Sequence, residues 1–337
     1  MRRARFFSII TLVVGALYGA VGFFFFLPQA SYEGDLTRIG KLPESLFGWF
    51  KPQPGIAPEL LQQTSWQDAD VLVIGDSFSK QRLWQTVLTA HGLKVRTEPW
   101  FFTKRVDICE GFYPWLRAQG FKGKYIVIET VERNLKENFT RSSNCKKMPS
   151  YFDIGDSPSS PPRAFNRDKK DHSGQISAGI LTWINQIKYK HLSALPDFSG
   201  MDLNDVRLER VTGGCRLFSH LSCRDVLFFG TDNGKKDWGS EEVKLMKTLN
   251  ARLGNLSSLW VVVPDKSTAY LYPEKKFWEI AGEQLHSVNL LKPVRQAIAA
   301  GVVDLYPANN THFSTTGYLL MGQEIYKNLL SDGLDRK

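Results

Sequence analysis

Two residues of this chain stand where acyl-transfer chemistry would need them. Ser77 follows an apolar run in VLVIGDSFS, and His312 sits in NNTHFSTTGY near the C-terminus. A serine hydroxyl becomes a nucleophile when an imidazole takes its proton, and the imidazole needs an acceptor on its other nitrogen. The chain has six histidines. His91 ends a predicted helix. His172, His191 and His220 fall in a weakly patterned centre, and His286 lies where a predicted helix runs out. His312 lies between a short predicted strand and a closing helix, so it is the candidate base. Asn310 is its nearest candidate orienter, and Asp304 is the nearest carboxylate. The Ser77 backbone N–H and Arg133, in IETVERNL, are candidate oxyanion donors. Glu132 and Lys266 are candidate cleft residues. Glu129, Glu132 and Arg133 read equally well as a structural ion pair. A second Gly-Asp-Ser, at 155–157, has no strand before it and Pro158 after it, and is set aside.

Alternating elements would have to position these groups. Short apolar runs at 70–74, 93–96, 124–129, 225–229, 259–263 and 302–305 read as strands. Helical spacing recurs over 80–91, 112–119, 176–187, 240–253, 277–285, 291–300 and 316–330. Strands alternating with helices predict an α/β fold, a three-layer parallel sheet. Sites in such sheets lie beyond the carboxyl ends of the strands. Ser77 follows the first strand at once, and His312 follows the last.

Residues 6–27 contain no formal charge and are long enough for one transmembrane helix. Arg2, Arg3 and Arg5 precede that run and favour a cytoplasmic tail at 1–5. The run is longer than the apolar region of a cleaved signal peptide. The expected organisation is an anchor at 6–27, a Pro-interrupted stalk and entry segment at 28–65, and one domain at 66–337 with an insertion at about 136–224. The exported part would lie in an oxidising compartment, so the four cysteines should pair. The preferred pairing is Cys215–Cys223 with Cys109–Cys145. Net charge is +9, without the tight basic stripe that nucleic acid binding requires. No Cys/His spacing suggests a metal, and no cofactor is expected.

GDSFS at 75–79, IETVERNL at 128–135, VVPDKSTAY at 262–270 (with one further Val before it) and NNTHFSTTGY at 309–318 together resemble an SGNH/GDSL-type hydrolase. The nearer likeness is to the alginate O-acetyltransferase-like branch. Here the serine segment precedes the histidine segment, the ordinary SGNH order. The branch pattern has Asp two positions before the histidine, where this chain has Asn310. The classical pattern has Asp three positions before, where it has Asn309. The resemblance implies an SGNH-like domain anchored in a bacterial inner membrane and facing the periplasm. It implies O-acetyl transfer to an exported polysaccharide, with a polytopic membrane acyltransferase as partner and acetyl donor. A carbohydrate esterase is the first alternative. A non-catalytic glycan-binding or assembly protein is the second, and the missing Asp is its main support.

Overall fold

A computed structural model describes residues 2–26, 31–100, 106–148, 163–165, 176–232, 237–331 and 333. Five strands form a parallel sheet: β1 (Val71–Gly75), β2 (Val95–Pro99), β3 (Tyr125–Val131), β7 (Ser257–Val263) and β8 (Ser287–Val288), ordered β2-β1-β3-β7-β8. β1 is flanked on both sides, with Val71 opposite Val95 and Tyr125. Strands covered on both faces are apolar throughout rather than alternating, and every residue of β1 is buried. Leu72, Ile74, Ile126, Ile128 and Trp260 point to one face, where helices Phe112–Ala118, Ser240–Asn250 and Phe277–Gln284 pack. Val71, Val73, Val127, Leu259 and Val261 point to the other, beneath Gln85–Ala90, Leu291–Ala299 and Thr315–Ser331. The result is the expected three-layer α/β arrangement.

Several elements differ from the sequence reading. The run at 225–229 is a strand, β6 (Asp225–Phe229), but it belongs to a second, antiparallel sheet with β4 (Gly200–Leu203) and β5 (Val206–Arg210). A five-residue apolar run specifies a strand and not its partner. Residues 302–305 form a turn in which Asp304 has φ +54°; β8 is the sheet edge instead. The single helix expected over 80–91 is two helices, Ser77–Lys80 and Gln85–Ala90. Between them Arg82 takes φ +56°, which no α-helix admits.

Residues 31–50 are part of the folded domain rather than a stalk. Leu36, Leu42, Phe47 and Trp49 are buried, the first three in one cluster with Met201, Val206, Leu208 and Leu227 of the small sheet. Pro43 lies among these buried residues, whereas residues 51–65, which hold Pro52, Pro54 and Pro58, contain no buried residue. Both disulfides form as expected, Cys109–Cys145 and Cys215–Cys223. The N-terminal helix runs Arg2–Phe26, and its described side chains, 6–20, are exposed. Among the described residues no helix is long and apolar enough to cross a membrane. The side chains of 1–5 and 21–27, part of the expected tail and anchor, lie outside the described residues, as does the second Gly-Asp-Ser at 155–157.

Candidate active site

β1 ends at Gly75, and Asp76 caps the short helix that follows. Its Oδ1 accepts the Phe78 N–H at 3.0 Å, and its Oδ2 accepts the Val131 N–H at 2.7 Å, which ties the turn to the end of β3. Asp76 is therefore occupied in holding Ser77 at the first helical position. Beneath the turn, Glu129 Oε2 accepts Ser79 Oγ–H at 2.6 Å and the Asp76 N–H at 3.1 Å. Burial, then the charge of Asp76, holds the Glu129 carboxyl well above the usual range. A Cβ at position 75 would collide with Ser79 and with Glu129 Oε2. Gly75→Ala should therefore displace the turn, lowering both the melting temperature and any turnover that depends on Ser77. Unchanged thermal unfolding and rate would contradict this.

His312 reaches Ser77 from the opposite end of the chain. Its Nε2 is 2.8 Å from Ser77 Oγ. The ring packs on Phe78, with centroids 4.8 Å apart. Nδ1 faces three oxygens: Asn310 Oδ1 at 3.1 Å, Thr311 Oγ1 at 3.1 Å and Asp35 Oδ2 at 3.5 Å. Asn310 Oδ1 also accepts the His312 backbone N–H at 2.9 Å. Thr311 gives its hydroxyl proton to Asp35 and its backbone N–H to Asp35 Oδ1 at 2.9 Å. Acceptors on that side require the proton on Nδ1, which leaves the Nε2 lone pair to receive the Ser77 proton.

Asp35 is the residue that sequence reasoning missed. It begins the helix Asp35–Gly40, in the segment read as a stalk. Burial would raise its pKa, but the His312 hydrogen bond and charge, with Thr311, outweigh burial and lower it. The segment is fastened to the histidine loop by long-range hydrogen bonds. Leu36 N–H donates to Asn309 O at 3.0 Å, and Asn309 Nδ2 donates to Glu44 Oε2 at 2.8 Å. Glu44 Oε1 takes the backbone N–H groups of Glu33 and Gly34 and the Thr37 hydroxyl. Asn309 is thus a tether for the segment that carries the acid. The one sequence signal was a Gly-Asp pair at 34–35, too common to single out.

The other candidates are placed elsewhere. Asp304 does not serve His312: its carboxylate accepts the Ser219 N–H at 3.0 Å and the Ser219 hydroxyl. Ser219 Oγ in turn receives Phe50 and Lys51 N–H, so Asp304 braces the Cys215–Cys223 loop and the N-terminal segment. Arg133 pairs with Asp265 at 2.8 Å and Asp232 at 3.4 Å. Burial lowers its pKa, and those aspartates with Asp76 raise it on balance. Glu132 pairs with Lys275 at 2.8 Å and accepts the Asp265 N–H at 3.0 Å. Both are committed to a buried charge cluster, and neither has a described hydrogen bond to Ser77 or His312. Among the described residues no group of three His, Cys, Asp or Glu could hold a metal ion.

Lys266 acts on the loop from below. Its Nζ donates to the carbonyls of Pro307 (2.7 Å), Ala308 (2.8 Å) and Asn310 (3.4 Å), beneath the rings of Phe218 and Phe228. Burial pushes it down to about 7, while Asp35, Asp232 and Asp304 pull the other way. Lys266→Met keeps the stem and removes the donors. Leaving buried carbonyls unpaired costs about 1–3 kcal/mol, and the loop bearing His312 should loosen, lowering turnover as well. Because the folded pKa lies below the ordinary lysine value of 10.5, the unfolded chain binds more protons between about pH 7 and 10.5. The contribution of Lys266 to stability therefore rises across that window. Urea unfolding at pH 6 and pH 9 should show the gap between wild type and Lys266→Met widening at pH 9; a constant or narrowing gap refutes the assignment.

No family model, curated protein or solved structure matches this chain.

Proposed function

We propose that the protein is a serine-dependent acyltransferase that moves an acetyl group onto an exported or cell-surface polysaccharide. The observation that carries the reading is the line Ser77 Oγ–His312 Nε2, 2.8 Å, with the Asp35 carboxylate 3.5 Å behind Nδ1. Ser77 Oγ attacks the acetyl carbonyl carbon as its proton passes to His312 Nε2. The backbone N–H of Ser77 heads a helix and is available to the developing oxyanion. Collapse expels the leaving group of the donor, which takes the proton from Nε2, and leaves acetyl-Ser77. A sugar hydroxyl then gives its proton to Nε2 as its oxygen attacks the acetyl carbon; collapse breaks the acetyl–Oγ bond while Oγ takes that proton back from Nε2, which restores Ser77 and the neutral imidazole. With water in place of the sugar the same steps make an esterase, the second reading. A carboxylate behind the imidazole supports chemistry over a retired scaffold, since Asp35 supplies what Asn309 and Asn310 lack.

The uncharged run 6–27, the three arginines before it and the two disulfides support a single-pass inner-membrane protein with its domain in the periplasm. A polytopic membrane acyltransferase would then deliver the acetyl group. The test is acetyl-ester turnover by the purified full chain, with and without polysaccharide acceptors, and mass analysis of the Ser77 peptide after quenching. Acetyl-Ser77, and faster turnover with an acceptor, are expected. No acetylated peptide and no turnover would reject the reading.

A further inference from the structure

The helix Ile176–Ser193 packs one face inward and leaves an apolar stripe on the other. One face packs inward: Ala178, Thr182 and Tyr189 are buried, and Asn185 donates to the carbonyls of Gly40 and Lys41. The opposite face carries Ile180, Ile184 and Ile187 at i, i+4 and i+7, with Leu181 and Trp183 beside them. All five are exposed, Trp183 at 55% and Ile187 at 50%. An exposed contiguous apolar stripe of this kind marks an interaction surface. Lys188 and Lys190 flank the stripe and are also exposed. Isoleucine, leucine and tryptophan on one face, bordered by lysines, are the makings of a helix that lies in a membrane interface.

A second observation fixes which surface is within reach. Tyr32 Oη is 2.6 Å from Thr182 Oγ1, on the inward face of this helix. Tyr32 follows Leu27, the last residue of the uncharged run, by five residues, about 18 Å of chain at full extension. If 6–27 spans the bilayer, the helix is held within that distance of its surface. The polar sequence of 153–174 offers little to cover the stripe instead.

We infer that the outward face of Ile176–Ser193 rests in the interface of an anionic bilayer, docking the domain onto the membrane from which its anchor emerges. The inference rests on the anchor proposed above. Apolar burial holds the helix, and Lys188 and Lys190 meet acidic headgroups. The same fastening sets the orientation of the site, because the segment held by Tyr32 continues directly into Asp35. The open side of Ser77 and His312 is then presented at a fixed height above the membrane, where a membrane-borne donor could reach it.

The four cysteines are paired, so an introduced cysteine is the one free thiol. Full-length Trp183→Cys and, as reference, Thr248→Cys at an exposed position of the helix Ser240–Asn250 are spin-labelled and reconstituted in phosphatidylethanolamine–phosphatidylglycerol vesicles. Collision with oxygen and with a water-soluble nickel complex is measured. At 183 the nickel collisions should be lost and oxygen collisions retained; at 248 nickel should dominate. Alkaline carbonate extraction is run in parallel. A water-exposed label at 183 on protein that resists extraction overturns the inference and leaves the anchor standing. Protein that is extracted removes the anchor and the inference together. A label shielded from both reagents, or broadened by a second label, places a protein on the stripe and also overturns it.

Discussion

Ser77→Ala should leave a folded protein whose acetyl-ester turnover falls about a thousandfold or more. The side chain's one described hydrogen bond runs to His312, and the turn beneath is held by Asp76, Ser79 and Glu129. Little stability is therefore at stake, and the melting temperature should stay within a few degrees. His312→Ala should cost a similar factor, since a serine hydroxyl without its base is a weak nucleophile. The double variant should be hardly worse than either single one, because residues that act as a unit are non-additive. Turnover of an activated acetyl ester, followed beside circular dichroism, checks all three. Retained activity in Ser77→Ala with the fold intact would remove Ser77 from the chemistry.

Why the sequence disclosed this pair and not its third member is a matter of distance along the chain. Ser77 sits at the carboxyl end of a strand of the parallel sheet, where one geometric rule places sites; His312 is read by the same rule from a strand expected at 302–305, and it reaches Ser77 although that run is a turn. The central strands were legible for a related reason: doubly buried strands carry runs of Val, Ile and Leu, as in VLVI of β1, IVI of β3 and VVV of β7. Asp35 obeys no such local rule. It reaches His312 because Leu36, Leu42 and Phe47 are buried with the small sheet and because Glu44 and Asn309 clamp the turn. Those are tertiary choices made by residues of unremarkable type. Prolines at 43, 52 and 54 read as a stalk because they break regular elements; Pro52 and Pro54 are exposed, but the short helices before them carry buried residues. Asp304 looked attractive for the converse reason, nearness in sequence. Its backbone turn at φ +54° is stabilised by Ser219 and gives its carboxylate no route to the imidazole.

Exchange of the two orienting residues should separate charge from position. As His312 takes the Ser77 proton it becomes an imidazolium, and Asp35 lies 3.5 Å from Nδ1. At an effective dielectric constant near 20 two unit charges at that distance attract by roughly 5 kcal/mol. The neutral Asn310 acceptor, at 3.1 Å, contributes a net hydrogen bond of about 1 kcal/mol. Charge should win. Asp35→Asn keeps an acceptor for Thr311 and so keeps the loop in place, but it should lower kcat about a thousandfold, each factor of ten being about 1.4 kcal/mol. Asn310→Ala should cost about tenfold, and Asn310→Asp should hold or raise the rate. Asp304→Asn should lower the melting temperature while leaving kcat of the folded fraction nearly unchanged. The pH dependence gives a further check. The folded pKa of Asp35 lies below its ordinary value of 3.8, so its contribution is complete above that value and fades only as pH falls through the lower, folded one. Wild-type stability should lose this contribution only in strong acid, and Asp35→Asn should show a shallower acid limb in a melting series. A silent Asp35→Asn beside a thousandfold loss in Asn310→Ala would reverse the assignment, making the amide the orienter and Asp35 a strut for Thr311.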